Sequence, residues 1–164
     1  MSALVLKLRK VRYLGWGIAA VFFALLAAIA GPEEMGALTR SFSWQVVTGS
    51  ALTVCMIYQW TVFAQRFTKD TKNARQHYNA HRWVGVGATL LFAIHAVRPG
   101  HAWMTALAVV FIGIAVTGLL NREVVKYRKQ WMYLAWLGMH MCLSAILVPL
   151  LAIHIWAALA YQGG

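Results

Sequence analysis

Acidic residues are nearly missing from this chain. There are four in 164, Glu33, Glu34, Asp70 and Glu123, and none lies inside an apolar run. A proton pump or cation transporter usually keeps a carboxylate at membrane depth, where its burial is costly and retained for function; this sequence offers none. Cysteine is equally scarce. Cys55 and Cys142 stand alone among apolar neighbours, with no CxxC or CxxCH pattern, so they read as small buried fillers rather than a disulfide framework or a thiolate metal site. Proline occurs three times, at Pro32, Pro99 and Pro149, so the long segments between are free to be helical almost throughout. No GxGxxG fingerprint is present, and with it goes the expectation of a dinucleotide-binding module.

What fills the chain instead is apolar: 61% of residues are hydrophobic and 12% charged. A soluble domain of this size cannot hide so much apolar surface, which points to an all-α integral membrane protein in contact with lipid. Five segments reach the ~20 residues needed to cross the ~30 Å hydrocarbon core, over about 12–31, 43–66, 75–98, 102–121 and 131–161. The last is long enough to tilt or emerge from the bilayer. The runs are continuous rather than alternating, which excludes a β-barrel. The expected organisation is one five-helix transmembrane domain over residues 1–164.

A net charge of +11 invites a nucleic-acid reading, but its distribution argues otherwise. Lys7, Arg9, Lys10 and Arg12 precede the first segment. Arg66, Lys69, Lys72, Arg75 and Arg82 lie at or between the second and third, and Arg122, Lys126, Arg128 and Lys129 join the fourth to the fifth. Thirteen of the fifteen basic residues thus fall on one side, with Arg40 and Arg98 opposite. The positive-inside rule then places the N-terminus in the cytoplasm and the C-terminus outside, in a bacterial-type inner membrane, with no nucleic-acid partner. The basic start, apolar run and Ala28-Ile29-Ala30 resemble a signal peptide, but the run exceeds the usual length and reads as an uncleaved first helix. Trp44, Trp103, Trp131, Tyr133 and Tyr161 fit interfacial belts.

Against this apolar background four histidines stand out. His81 and His95 share the third segment, His140 and His154 the fifth, and each pair is 14 residues apart. On an α-helix that spacing returns to within ~40° of one face and advances ~21 Å along the axis. Intramembrane imidazole is rare and usually functional. Because one helix separates them, the third and fifth run in the same direction, so His81 and His140 share the cytoplasmic depth and His95 and His154 the outer one. An iron between each pair has two axial imidazoles, the ligation of a low-spin, electron-transferring b-type haem. Two non-covalent haems ~21 Å apart span much of the membrane.

Neighbouring residues suit such a cofactor. Gly85, one turn beyond His81, and Gly138, just before His140, leave room beside their helices for a flat macrocycle or, equally, for close helix packing. Arg82 and Arg98 are the candidate partners of the haem propionates at the inner and outer faces, besides their topological role. His77, one turn before His81, keeps helical phase with His95 and competes for the inner site, while His101 reads as a turn residue. Met132, Met139 and Met141 near His140 read as core packing rather than a copper site. Pro149 lies between the two fifth-helix histidines and is expected to bend that helix. Beyond the histidine spacing, no repeat is evident.

The two segments HRWVGVGATLLFAIH, from His81 to His95, and HMCLSAILVPLLAIH, from His140 to His154, resemble the dihaem membrane cytochromes b. They are most similar to the ferric-reductase-like transmembrane domain of ferric reductases and NADPH oxidases. The initial His-Arg, the glycine four residues on and the placement on helices three and five carry the likeness. It implies electron transfer through two haems by a cytochrome b subunit without its own dehydrogenase domain. The expected redox partner is a flavoprotein, a quinone-linked complex or a periplasmic carrier. Such domains commonly have a sixth helix and continue into flavin- and nicotinamide-binding modules, neither of which this sequence contains. A stand-alone ferric reductase, a quinone-linked reductase subunit, a haem or metal transporter and a non-redox assembly subunit are the competing functions.

Overall fold

The computed structural model describes the backbone over residues 3–30, 41–68, 74–96 and 102–160. Within them lie five α-helices and no strand: α1 (Ala3–Ala30), α2 (Phe42–Thr68), α3 (Ala74–His95), α4 (Ala102–Leu119) and α5 (Gln130–Ala160). All five expected helices form, with ends within a few residues of the apolar runs except at α1, which begins earlier, among the N-terminal basic residues. Three of them contain stretches long and apolar enough to cross a membrane: Lys10–Ile29, Ala102–Leu119 and Gln130–Ala160. The other two have the length, at 27 and 22 residues, but α2 is threaded with hydroxyl and amide side chains and α3 opens on Arg75, Gln76, His77 and Asn79. The chain therefore carries membrane-spanning candidates at α1, α4 and α5.

The backbone separates into two compact units, Met1–Arg98 and Pro99–Gly164. In the first, α1 and α2 both pack on α3. Tyr13, Gly17, Ala20 and Ala24 form a buried seam along α1, spaced by four, three and four residues. Small side chains at that period let two helix backbones approach closely, the usual means of joining helices where the solvent is itself apolar. Ser41 caps α2, accepting a hydrogen bond on its Oγ from the Trp44 amide at 3.3 Å. Along α2 and α3 the hydroxyls of Thr53 and Thr89 donate to the carbonyls of Gly49 and Gly85, both at 2.8 Å. That satisfies each hydroxyl within its own helix, a need that becomes strict in hydrocarbon.

In the second unit α4 and α5 form an antiparallel pair. The order of contacts fixes the direction: Trp103 lies against His154, Gly113 faces Leu143, and Thr117 meets His140. A Cβ on Gly113 would come 3.3 Å from Leu143 Cδ1, so the bare glycine is what seats that leucine. Asn121 closes α4, donating to the Gly118 carbonyl at 3.1 Å and accepting from the Glu123 amide at 3.0 Å. The Tyr127 hydroxyl donates to the Leu120 carbonyl, and burial pushes its phenol pKa above the ordinary value. These bonds satisfy carbonyls that a helix C-terminus otherwise leaves without intrahelical donors. Of the 31 residues of α5 only Leu147 is buried, and its exposed face, including Trp131, Ile146, Ile153 and Trp156, is compatible with lipid contact. Pro149 sits inside it.

Candidate functional site

All four sequence-predicted histidines lie on helices as expected, two per unit, and all four are half-buried. His81 and His95 stand on the unbroken helix α3, and His140 and His154 on α5, with Pro149 between. Each pair is therefore separated by ~21 Å of helix rise.

His95 closes the last turn of α3. Its Nδ1 lies 2.9 Å from Oγ1 of Thr48 on α2. His140 repeats the arrangement in the other unit, with Nδ1 2.8 Å from Oγ1 of Thr117 on α4. Each threonine hydroxyl also lies 2.8 Å from a carbonyl one turn back in its own helix, Trp44 for Thr48 and Gly113 for Thr117. A hydroxyl has one proton. A carbonyl can only accept, so the proton goes to the carbonyl; otherwise two oxygens would face one another at 2.8 Å with no hydrogen between. The imidazole must then be the donor toward Oγ1, with Nδ1 protonated and the ring's lone pair on Nε2. This is the tautomer of a histidine that binds a metal through Nε2, where the other ring nitrogen is held by a neighbouring acceptor.

The residue after each threonine is glycine. A Cβ on Gly49 would stand 3.1 Å from His95 Cε1, and one on Gly118 3.7 Å from His140 Cε1. Val47-Thr48-Gly49 and Val116-Thr117-Gly118 thus each bring a threonine hydroxyl and a glycine beside a histidine, in separate units. The repeat lies on the helices that precede the histidines rather than around the histidines themselves. The short string Val-Thr-Gly was its only signal.

The surroundings of the other residues differ more. His154 lies with its ring 5.7 Å from Trp103 at 51°. The His81 backbone carbonyl accepts a hydrogen bond from Gln59 Nε2 at 3.0 Å. That same Gln59 nitrogen would be 3.4 Å from a Cβ on Gly85, so Gly85 makes room for a helix-packing contact with α2. Gly138 has open space on its bare side. Arg82 is 9% exposed, with its guanidinium carbon 3.8 Å from the centre of the Tyr13 ring and 5.8 Å from that of Tyr78. Trp83 packs against the same Tyr13, with ring centres 5.8 Å apart at 85°. His77 is half-buried on the turn before His81. Arg98 and His101 lie outside the described residues.

His140 has an aromatic neighbour on its own helix. Trp136 stacks with it at 6.2 Å and 15°, while its indole N–H donates to the Thr117 carbonyl at 2.8 Å. Tyr133 and Tyr127 continue the cluster, 5.6 Å and 5.9 Å from Trp136. Thr117 therefore holds His140 through its hydroxyl and the stacked tryptophan through its carbonyl.

Among the described residues, no three histidine, cysteine or acidic side chains gather where they could chelate an ion. The four imidazoles stand separately along α3 and α5, and those of His95 and His140 are oriented through Nδ1 by a threonine. The chain matches no family model, no curated protein and no solved structure.

Proposed function

We propose that this protein carries electrons across a membrane as a five-span cytochrome b subunit holding two non-covalent b-type haems. The observation that carries the reading is the matched placement of half-buried histidines, two on α3 and two on α5, each pair 14 residues apart. On this reading His81 and His140 would hold the inner haem, and His95 and His154 the outer one. The Nδ1–H of His95 and of His140, each donated to a threonine, puts the ligating lone pair on Nε2. Arg82 meets the inner propionates, and Arg98 the outer ones. The likeness of the two histidine segments to the ferric-reductase-like domain points the same way.

When bound, haem supplies the one-electron chemistry. The four histidines would hold it and apolar helix surface would insulate it, and with two imidazoles per iron a substrate would have little access to the metal. A bilayer-embedded α2 and α3 join the three apolar helices, and the basic loops keep the N-terminus in the cytoplasm of a bacterial-type inner membrane. Electrons pass to or from a separate redox protein or quinone-linked complex.

Haem-to-protein stoichiometry with a redox titration of the purified chain tests this. Two b-type haems per chain, resolved as two one-electron waves, are expected. A correctly assembled membrane protein that takes up no haem would overturn the reading.

A further inference from the structure

We propose that Thr48 and Thr117 are positioning residues that fix the ring tautomer of His95 and His140 and strengthen Nε2 as a donor, one at each haem level. The assignment to haem levels rests on the proposed function; the tautomer does not.

The arrangement is built twice. Both threonines are buried, at 6% and 5% exposed, and both stand on a helix antiparallel to the one bearing their histidine. Both direct the hydroxyl proton to their own helix at 2.8 Å and present the oxygen to Nδ1 at 2.9 and 2.8 Å. Both are followed by a glycine whose missing side chain borders Cε1, the ring carbon between the two nitrogens. The threonine sets which nitrogen keeps the proton, and at Gly49, where a Cβ would stand 3.1 Å from the ring, the missing side chain also makes room for that bond.

The hydroxyl's second bond adds to the effect. An O–H that donates to a carbonyl becomes a better acceptor, because consecutive hydrogen bonds polarise one another. The Nδ1–H bond then shifts electron density into the ring and raises the basicity of Nε2. A stronger axial donor favours the ferric over the ferrous iron and lowers the potential of the haem it serves. On the proposed assignment, with His95 in the outer pair and His140 in the inner one, each haem would have one such histidine.

Valine keeps the shape of threonine and removes the acceptor, while serine keeps the acceptor. In nitrogen-15 NMR of histidine-labelled protein, the wild type should show His95 and His140 protonated at Nδ1. Thr48→Val should release that preference at His95 alone and Thr117→Val at His140 alone, with both serine variants like wild type. In potentiometric titration each valine variant should raise the potential of one haem and not the other. The expected size is up to a tenfold change in the ferric-to-ferrous ratio at fixed potential, or about 59 mV for a one-electron couple. Wild-type rings protonated at Nε2 would overturn the proposal without any variant. So would valine variants that leave both tautomers and both potentials unchanged. If the valine variants do not assemble, the wild-type spectrum decides. A haem-free protein whose rings still show the Nδ1–H tautomer would sink the cytochrome reading and keep this one.

Discussion

His95 in the first unit and His140 in the second are held by the same Val-Thr-Gly string, yet the two settings tolerate change differently. Beside His95 the glycine is pressed close, 3.1 Å from where its Cβ would be to the ring, and beside His140 the gap is 3.7 Å. The first unit anchors its histidine helix through a cation, Arg82 resting on Tyr13 of α1. The second anchors its helix through a tryptophan that stacks on His140 itself and bonds the last turn of α4. The difference shows that the hydrogen bond to Nδ1 is the shared element, and that each unit braces it with whatever its own helices supply.

The largest way to test the comparison is to remove the rings. His95→Ala and His140→Ala should each reduce the haem content from two per chain to one, measured by pyridine haemochrome, and spectra of the two variants should report different remaining haems. If either substitution leaves the content at two, that histidine is not a ligand.

Gly49→Ala and Gly118→Ala separate the two units more finely. At Gly49 the added methyl forces the His95 ring or α2 to shift, an overpacking cost of about 1–3 kcal/mol. At Gly118 the methyl meets the ring at ordinary contact distance, and alanine's helix preference gains about 1 kcal/mol. Thermal unfolding in detergent should therefore place the two variants on opposite sides of wild type. Equal effects would mean the two glycines are equivalent after all.

Tyr13→Leu removes the aromatic face beneath a nearly buried guanidinium. It should cost about 2 kcal/mol and loosen α1 from α3, read as faster amide exchange in α1 with α4 and α5 unchanged. Trp136→Phe is the counterpart in the second unit. It keeps an aromatic ring beside His140 but loses the bond to the Thr117 carbonyl, a loss of about 1 kcal/mol. Under the proposed function its optical effect should be confined to the inner haem.

Much of the helical architecture was legible because the signal is local. Long apolar runs bounded by charge define helices, and the 14-residue spacing is visible as soon as helical periodicity is applied. The braces were not legible in the same way. Thr48 and His95 are 47 residues apart, Gln59 and His81 are 22, and nothing in the intervening sequence marks them as partners. A threonine in an apolar helix also has a ready explanation, since its hydroxyl bonds its own backbone; only tertiary packing reveals the second bond. Gly85 leaves room in the sequence for a macrocycle or for helix packing alike, and only the fold shows Gln59 beside it. The position of Arg82 beside His81 is visible in the sequence, but its contact with Tyr13 depends on how α1 lies along α3.

Pro149 interrupts the backbone hydrogen-bond ladder of α5 between its two histidines, nearer His154 than His140. Proline has no amide proton to offer, so the Ala145 carbonyl loses the donor that any other residue would provide one turn on. A carbonyl so freed within hydrocarbon draws in a water or a neighbouring hydroxyl, and the helix can flex about that place. The segment around His140 is pinned by Thr117 and Trp136 on the near side of this joint, while the segment bearing His154 lies beyond it. His154 has its own contact there, with Trp103 of α4, so the backbone bond that Pro149 leaves out falls between two imidazoles that are held separately.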